Sequence, residues 1–559
     1  MYEKPPGSPD RHPNGAGEAI VLSPPYLLAQ AAVLAAVLAL LLSILWLNGG
    51  TFTYTLDDAY IHLAVSEQIT RGGYGVNAGE TCAASSSVLY PLLLAPAAPF
   101  AWHALCPLLI NAAALLLSVD LLFRYLAGLG LMATPRGRVF SATAVVLAAV
   151  GLNLVGLVFT GLEHSLHCLV VVAMLHGLAV FLQTSRVPWW LVAAVVLGPL
   201  VRYEAAAASL AAAGVLAWRG AWRWALGSVA LCLAGLVGFS LFLVGSGLSP
   251  LPSSVLVKSG VVNSGIEASA GALAGGLFEN LKTSLLRERP GILLGGFCVA
   301  LVVALLTSRG DSRPDGGSRR LFMGFALAAV GAHLLAGRYG WFHRYEIYAL
   351  LLAAAASLYI WKDAIRAGVE RLAVPATLAC CTVVLGFVGS VYTYRTFLVP
   401  LGANNVYEQH CQIHRFATEF WQDDVAVNDL GRASYRNPYY VLDLWGLGSE
   451  QVRRARQRGI TAADFARLVR DRGVGLAMIY QSWFGRDVPP EWTLVGQIYL
   501  GRRRVTPPED HVEFYATRPA AVPELAAKLE AFRHTLPDGV RLEITAPTVA
   551  ARESRREQR

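Results

Sequence analysis

The stretch YLLAQAAVLAAVLALLLSILWLNGGTFTYTLDDAYIH, residues 26–62, decides the class of this protein. Its first part, Tyr26 to Trp46, is a long apolar run, and about 20 such residues suffice to cross a bilayer. No small-residue cleavage site follows the run, so we expect a retained membrane anchor rather than a signal peptide. Two adjacent carboxylates, Asp57 and Asp58, come shortly after it. Because carboxylates are costly near hydrocarbon, an acidic pair at the end of a span indicates a functional site in water or in a polar cleft.

The composition places the whole chain in the membrane class. Of its 559 residues, 55% are hydrophobic and 15% are charged, whereas a soluble domain carries about 25% charged residues. Apolar runs long enough to span a bilayer recur through the first two thirds of the chain. The basic residues behind the net charge of +8 lie largely in short loops between these runs, without the aromatic and basic pattern of a nucleic-acid groove. We therefore predict a polytopic membrane protein with no nucleic-acid partner.

Basic loops predict the orientation of the bundle. By the positive-inside rule, these connections lie in the cytoplasm: Arg124 to Arg138, Arg186, Arg219 to Arg223, Arg309 to Arg320, and Lys362 to Arg371. Five segments, and everything after about Thr393, then lie outside: 48–85, 160–163, 202–204, 245–290 and 337–346. The segment from Ser86 to Tyr125 is long enough for two spans, although the charge pattern requires one net crossing, so we expect half of it to be tilted or re-entrant. The total is roughly 11 to 13 spans.

The chain divides into a membrane bundle and a soluble end. In order, the predicted parts are a cytoplasmic tail (1–25), an all-α membrane bundle (26–394) with its first external loop at 48–85, a small external α/β domain (395–549), and a charged, disordered end (550–559). In the external domain, short apolar stretches predict strands at Val425–Val427, Tyr440–Leu442 and Gly475–Tyr480. The segment from Thr461 to Arg472 predicts a helix with Thr461 as its N-cap.

The isolated polar residues of the bundle converge on its predicted external face. Asp57 and Asp58 are candidates for a catalytic base, because paired carboxylates suit proton removal from a hydroxyl. Candidates for binding an anion are Arg202, Lys258, His343 and Arg344, and further cleft candidates are Tyr60, His62, Glu80, Glu163 and Glu204. Asp58 and His62 stand at i and i+4 and can share a helix face. Arg202 either pairs with Glu204 or binds an anion.

The cysteines predict no metal site, since no CxxC or Cys/His spacing occurs. Of the 8 cysteines, all but Cys82 and Cys411 lie in or near apolar runs, as small core residues do. Cys82 and Cys411 lie in polar segments on the predicted external face, and the sequence leaves open whether they form a disulfide.

A carboxylate base that faces several cations suits the transfer of a sugar from a lipid phosphate. The cations would hold the phosphate leaving group, and the base would take the proton of an acceptor hydroxyl. Direct displacement would invert the anomeric carbon. Positioning, and stabilisation of charge on the leaving phosphate, would lower the barrier.

The ordered motifs resemble the GT-C glycosyltransferases, polytopic enzymes that use polyprenyl-phosphate-linked sugars, and most of all the group with the bacterial terminal arabinofuranosyltransferases. The pieces that carry the resemblance are residues 56–61 (LDDAYI), 73–80 (GYGVNAGE), 86–91 (SSVLYP), 160–163 (TGLE), 201–204 (VRYE), 252–258 (PSSVLVK), 342–345 (FHRY), 428–431 (NDLG) and 441–447 (VLDLWGL). The chain departs from the family pattern at Tyr203, where Pro is common, and at His164-Ser165.

The resemblance implies the parts of a site. An acidic residue of the first external loop would be the base. By analogy this is Asp57, with Asp58 orienting the acceptor or pairing with His62. A cation such as Lys258, Arg202 or Arg344 would bind the donor phosphate. No cofactor and no metal are implied beyond the lipid-linked donor.

The resemblance also implies a place and a set of substrates. The enzyme would lie in the bacterial cytoplasmic membrane with its site facing outward. Arabinofuranose, mannose and amino-arabinose donors stay open, as do polysaccharide, lipid and protein acceptors.

Two other hypotheses compete with a transferase. A transporter or flippase of a polyprenyl-linked lipid would show mid-span polar residues and internal repeats, and the sequence shows neither. A non-catalytic membrane scaffold would use the external domain to bind glycan and would need the acidic pair for structure alone.

Overall fold

The structure, a computed structural model, describes residues 23–258, 270–308 and 315–545. Most of the predicted tail 1–25, and the predicted disordered end 550–559, lie outside the described residues. The helices from the first span to the last are α1 (Pro24–Leu47), α2 (Asp58–Thr70), α3 (Tyr90–Leu94), α4 (Cys106–Gly128), α5 (Pro135–Gly151), α6 (Leu154–Val158), α7 (His164–Thr184), α8 (Trp189–Val201), α9 (Ala206–Trp218), α10 (Trp222–Gly245), α11 (Ser253–Lys258), α12 (Ala270–Leu286), α13 (Arg289–Thr307), α14 (Gly316–Ala336), α15 (Ile347–Ile360), α16 (Lys362–Arg371) and α17 (Val374–Glu408).

The remaining elements build the C-terminal domain. Its helices are α18 (His410–Arg415), α19 (Gly431–Ser434), α20 (Glu450–Gln457), α21 (Ala462–Asp471) and α22 (Val522–Arg533). Its strands are β1 (Val425–Val427), β2 (Val441–Asp443), β3 (Leu476–Ile479), β4 (Thr493–Tyr499), β5 (His511–Ala516) and β6 (Arg541–Ile544). The fold class predicted from the sequence, a helical membrane bundle followed by a small α/β domain, is confirmed.

The bundle contains several helices that can cross a membrane. Among the described residues, 6 helices are long and apolar enough, or up to 8 if each bent helix pair is one span. Helix α1 shows the expected lipid-facing surface, with Leu28 70% and Trp46 82% exposed. This count, made by length and composition alone, is lower than the predicted 11 to 13 spans. Helices such as α8, with 13 residues, are shorter than the about 20 residues that a bilayer crossing requires.

The segment from Ser86 to Tyr125 crosses once. It begins with the short α3 and two 3₁₀ turns, which lead into the long helix α4. Helix α4 packs closely against α7 in the bundle interior. One helix of this segment is long and apolar enough to cross a membrane, as the charge pattern required, and the segment's first half is a set of short turns rather than a second long helix.

The C-terminal domain is built on one mixed sheet. The strand order is β2-β1-β3-β5-β4-β6, with β1 parallel to β2 and β3 and antiparallel pairing from β3 onward. The three predicted strands and the predicted helix are confirmed, and Thr461 caps α21 in a capping box with Asp464. Helix α17 extends past the predicted boundary at residue 395 and ends at Glu408.

The C-terminal domain docks on the segment between the first span and α3, residues 48–85, which we call the first connecting segment. Asn77 pairs with Val441 like an added strand, its side chain donating to the Val441 carbonyl and accepting from the Val441 amide at 2.9 Å. Tyr440 donates to Glu80 at 2.7 Å. Within this segment, α2 is buried from Ala59 to Gln68. The acidic pair at its start is therefore held between the bundle and the domain.

Candidate active site

A cavity of about 260 Å³, which we call the large cavity, lies beside the start of α2. Most of its charged and polar lining comes from five places in the chain: Asp58 and His62 of α2, Ser86, His164, Arg202 with Tyr203 and Glu204, and Arg338 with Arg344 and Tyr345. Ser254 and Val255 of α11 complete the wall. The fold thus brings together residues that are hundreds of positions apart, and cations and carboxylates share one chamber.

Asp58 and Arg344 form the central ion pair of this cavity. Arg344 donates from Nη2 to Asp58 Oδ2 at 2.6 Å and to the Tyr345 hydroxyl at 3.0 Å. The Arg344 side chain is 3% exposed, and that of Asp58 is 19% exposed. Within the described part of the chain, Nε and Nη1 of Arg344 have no hydrogen-bond partner. A buried guanidinium with unused N–H groups at a cavity wall is suited to bind an anion.

An unusual backbone segment carries Arg344 to this position. Gly340, Trp341, Phe342 and His343 all have positive φ, between 46° and 81°, which costs non-glycine residues about 1–2 kcal/mol each. Strain of this kind persists where surrounding contacts enforce it, and it clusters at functional sites.

The fully buried carboxylate of Glu346 holds this strained segment in its conformation. It accepts hydrogen bonds from the Gly340 amide at 3.3 Å and from the Tyr392 hydroxyl at 3.0 Å. It also lies 3.0 Å from Nδ1 of His343. Glu346 thereby fixes the residues that precede Arg344.

A second charged cluster, made of Arg202, Glu204 and Glu163, extends from the cavity wall into the interior. Arg202 donates to Glu163 at 2.5 Å and to Glu204 at 2.6 Å. Glu163 also accepts from Ser86 at 2.8 Å. The sequence left open whether Arg202 pairs with Glu204 or binds an anion. The structure shows the pairing, and two carboxylates already balance the positive charge of Arg202. Arg202 lines the cavity but is not a free cation.

The two adjacent aspartates point to different partners. Asp57 is 6% exposed, does not line the large cavity, and accepts the backbone N–H groups of Gly431 and Arg432 at 2.6 and 2.7 Å. Asp58, one position later, lines the cavity. The analogy that favoured Asp57 as the base therefore meets a structural difficulty, since its carboxylate is engaged with the C-terminal domain.

The predicted pairing of Asp58 with His62 is wrong. Both ring nitrogens of His62 are engaged elsewhere, with Nε2 lying 3.2 Å from Glu163 and Nδ1 lying 3.1 Å from Ser85. The salt bridge of Asp58 runs to Arg344 instead.

Several other predicted cleft residues lie outside the cavity lining. His343 contacts Glu346, and Tyr60 is buried beside Tyr54 and Tyr435. Glu80 belongs to the contact with the C-terminal domain, and Glu163 is fully buried behind the wall. Lys258 ends α11, whose neighbouring residues line the cavity, and its side chain lies outside the described residues.

The lining residues that the sequence interpretation did not assign include His164, Arg338 and Tyr345. Arg338 is exposed and stacks over the Tyr345 ring at 5.4 Å. The cationic and aromatic character of residues 338–346 was the available signal for Arg338 and Tyr345. Nothing in the pattern around His164 distinguishes it from a buried helix-end residue.

The two cysteines that the sequence placed on the external face do not form a disulfide. Cys82 and Cys411 are both buried free thiols. A separate group, Asp57 with His410 and Asp429, has the donor atoms and spacing to hold a metal ion, although the sequence predicted no metal site.

Comparisons with known proteins give limited similarity. A family model described as a domain of unknown function, DUF8728, matches residues 404–515, and no curated protein sequence matches the chain. Among solved structures, the chain is similar to ArnT from Cupriavidus metallidurans in the apo state, at 15% identity and a TM-score of 0.43, over 88% of this chain and 98% of that one. It is also similar to the arabinofuranosyltransferase AftD from Mycobacteria, at 14% identity and a TM-score of 0.41, over 87% of this chain and 41% of that one. A third similar structure is the oligosaccharyltransferase of Archaeoglobus fulgidus, at 11% identity and a TM-score of 0.39, over 84% of this chain and 73% of that one.

Proposed function

We propose that this protein is an integral-membrane glycosyltransferase of the GT-C type, which moves a sugar from a polyprenyl-phosphate donor to an acceptor hydroxyl. One observation carries the proposal: the buried guanidinium of Arg344, with two nitrogens that lack partners among the described residues, lies in a cavity wall beside the carboxylate of Asp58. The order of the sequence motifs supports the same conclusion.

Arg344 and Arg338 would bind the donor phosphate. Arg344 offers Nε and Nη1 as charge-assisted donors, in a water-poor wall where such bonds are stronger than in solution. Arg338 lies over the Tyr345 ring at 5.4 Å, and its exposed position suits the outer side of a phosphate. Two cations would offset the charge that builds on the phosphate as the sugar departs.

Asp58 would act as the general base. The acceptor oxygen attacks the anomeric carbon while the bond from that carbon to the phosphate oxygen breaks, and the bond's electron pair stays on the phosphate. The acceptor proton passes to the Asp58 carboxylate. As the donor phosphate engages Arg344, the Asp58–Arg344 ion pair weakens, and this leaves the carboxylate more basic when the acceptor arrives.

The remaining polar lining would hold the sugar. Ser86, His164 and Glu204 line the cavity and have polar groups of the kind that a polyhydroxyl ligand requires. Arg202 would be a positioning residue, because its ion pairs fix Glu163 and Glu204 rather than the phosphate. Arabinofuranose and other pentose or hexose donors all suit this chemistry.

The proposed site faces the extracytoplasmic side of the bacterial cytoplasmic membrane. The basis is the distribution of Arg and Lys, which assigns the opposite loops to the cytoplasm. The acceptor would then be a hydroxyl of an envelope glycan, lipid or surface protein.

Mass spectrometry of envelope glycans, lipids and proteins, from cells with and without this chain, tests the proposal. We expect one acceptor species to lose a single sugar residue when the chain is absent. In parallel, purified protein in vesicles distinguishes transfer from transport. Passage of a labelled polyprenyl-phosphate sugar across the bilayer, with no sugar transferred, would refute the proposal and favour a flippase.

A further inference from the structure

Three residues with metal-binding side chains meet where the C-terminal domain docks on the first connecting segment. Asp57 precedes α2, His410 begins α18, and Asp429 follows β1. One ligand atom from each lies within 4.8 Å of the others, and His410 Nε2 is 2.9 Å from Asp429 Oδ2. The carboxyl end of a parallel strand is a common position for ligand-binding groups. The three side chains belong to separate elements of the chain, so only the tertiary fold brings them close to one another.

A small cavity of about 20 Å³ adjoins this group. Asp57, Asp58, His410 and Asp429 all line it. The volume is enough for one water molecule or one ion. The other lining residues bring no Lys or Arg, so carboxylates and one imidazole supply the charge of its wall.

The charge balance of the small cavity favours a cation. Asp57 is 6% exposed, and none of the salt bridges between described residues includes it. The two amides that it binds occupy one lone pair of each oxygen, and each oxygen has a second. A buried carboxylate of this kind is costly without a positive partner.

His410 supplies a second, independent sign of a ligand. Its side chain is 4% exposed and lines the small cavity. Nε2 lies near Asp429 and, at 3.3 Å, near the Tyr480 hydroxyl, while Nδ1 has no hydrogen-bond partner within the described ranges. Buried imidazoles normally use both nitrogens, and neutral imidazole is a frequent metal ligand.

We propose that Asp57, His410 and Asp429 form a binding site for a divalent transition-metal ion that fastens the C-terminal domain to the first connecting segment. One imidazole and two carboxylates are a donor set that suits Zn²⁺ or Mn²⁺. The proposal goes beyond the proposed function and does not depend on it. Because Asp58 lines both cavities, the ion would also stabilise the start of α2, where the proposed base stands.

The test uses the purified full-length protein in detergent, stripped with a chelator and then titrated with Zn²⁺ or Mn²⁺. Bound metal is measured by elemental mass spectrometry after gel filtration, and thermal unfolding is followed with and without the ion. His410→Gln and Asp429→Asn are the test variants. The matched control is Asp510→Asn with His511→Gln, because Glu509, Asp510 and His511 form a second, more exposed group with similar spacing.

We expect the wild-type protein and the control to retain about one ion per chain and to unfold at a higher temperature with the ion than without it. The two test variants should bind the ion at least tenfold more weakly, and added ion should no longer raise their unfolding temperature. The wild-type measurement decides the matter even if a variant fails to fold. Absence of bound ion and of metal-dependent stabilisation in the wild type would overturn the proposal, and so would loss of binding in the control alone. A wild type that responds to pH but not to metal would indicate that protonated His410 balances the carboxylates.

Discussion

The substitution Arg344→Gln tests whether the large cavity binds a lipid phosphate, and its effect on affinity can be given a magnitude. The variant removes the two unpartnered N–H groups of Nε and Nη1 together with the positive charge, and it keeps a side chain of related shape. Each charge-assisted hydrogen bond is worth about 1.5–3 kcal/mol. Loss of two such bonds should weaken binding of a lipid phosphate by at least about 3 kcal/mol, which is roughly a hundredfold in Kd.

The assay uses undecaprenyl phosphate as the probe, because this leaving product has the same phosphate whichever sugar the donor carries. Binding is measured on purified protein in detergent by thermophoresis. Arg344→Lys keeps the charge but loses the forked geometry of the guanidinium, so we expect an intermediate loss of about tenfold. Arg454→Gln is the matched control, since Arg454 is 53% exposed on the C-terminal domain and pairs with Glu450.

Thermal unfolding of the same samples separates a binding defect from a folding defect. Arg344→Gln leaves Asp58 without its 2.6 Å partner, so a modest drop in unfolding temperature is expected as well. An affinity of Arg344→Gln for undecaprenyl phosphate within threefold of the wild type, in a folded protein, would refute the assignment of Arg344 as the phosphate-binding residue.

Three further expectations concern parts of the structure that support the site. Glu346→Gln should lower the free energy of unfolding by about 1–3 kcal/mol and weaken undecaprenyl phosphate binding, because Glu346 holds the left-handed segment before Arg344. An undecaprenyl phosphate affinity equal to that of the wild type would contradict this positioning role. Gly431→Ala should destabilise the domain contact by about 1–3 kcal/mol, since a Cβ there would collide with the backbone of Asp57, and faster limited proteolysis of the C-terminal domain would reveal it. Burial alone would lower the pKa of His511, but Asp510 and Glu513 raise it, so its stabilisation is complete below about pH 6.5 and is lost as the pH rises through the raised pKa. His511→Gln should remove about 0.5 kcal/mol of that pH-dependent stability, measured by thermal unfolding between pH 5.5 and 8, and an unchanged pH profile would count against it.

The parts of the fold that were predictable depend on local patterns. The strands β1 to β3 are short, continuous apolar runs, as expected for strands buried on both faces, and Thr461 followed by Asp464 is a local capping signal. Strands β4 and β6 were missed because they are only partly buried; β4 mixes buried and half-buried positions and contains Gly496 and Gln497. Strand β5 is largely buried, but its sequence is interrupted by Glu513.

The site was predictable in its residue types but not in its partnerships. Asp57 and Asp58 are adjacent, and the sequence gives no means of ranking them. In the structure Asp57 is the N-cap position of α2 and Asp58 its first residue, and successive helical residues point about 100° apart. One carboxylate therefore meets the C-terminal domain and the other meets the cavity.

Long-range partners were beyond the reach of spacing arguments. The pairs Asp58–Arg344 and His410–Asp429 join separate elements, and the metal candidate needs a residue from each of three. Spacing rules capture ligands that share one helix or one loop, so the prediction of no metal site considered only local clusters.

The adjacent aspartates allow the most direct test of the central claim, since Asp57→Asn and Asp58→Asn are nearly isosteric changes one residue apart. The measurement is the rate of sugar transfer to the acceptor found by envelope mass spectrometry, per folded molecule, at saturating donor. Loss of a general base costs about 10²–10⁴ in rate, so we predict that Asp58→Asn falls by that factor while still binding undecaprenyl phosphate. Asp57→Asn should lower the unfolding temperature yet keep transfer within about tenfold of the wild type, because it acts through the domain contact. A fully active Asp58→Asn, or a variant pair with the opposite ranking, would contradict the assignment of Asp58 as the base.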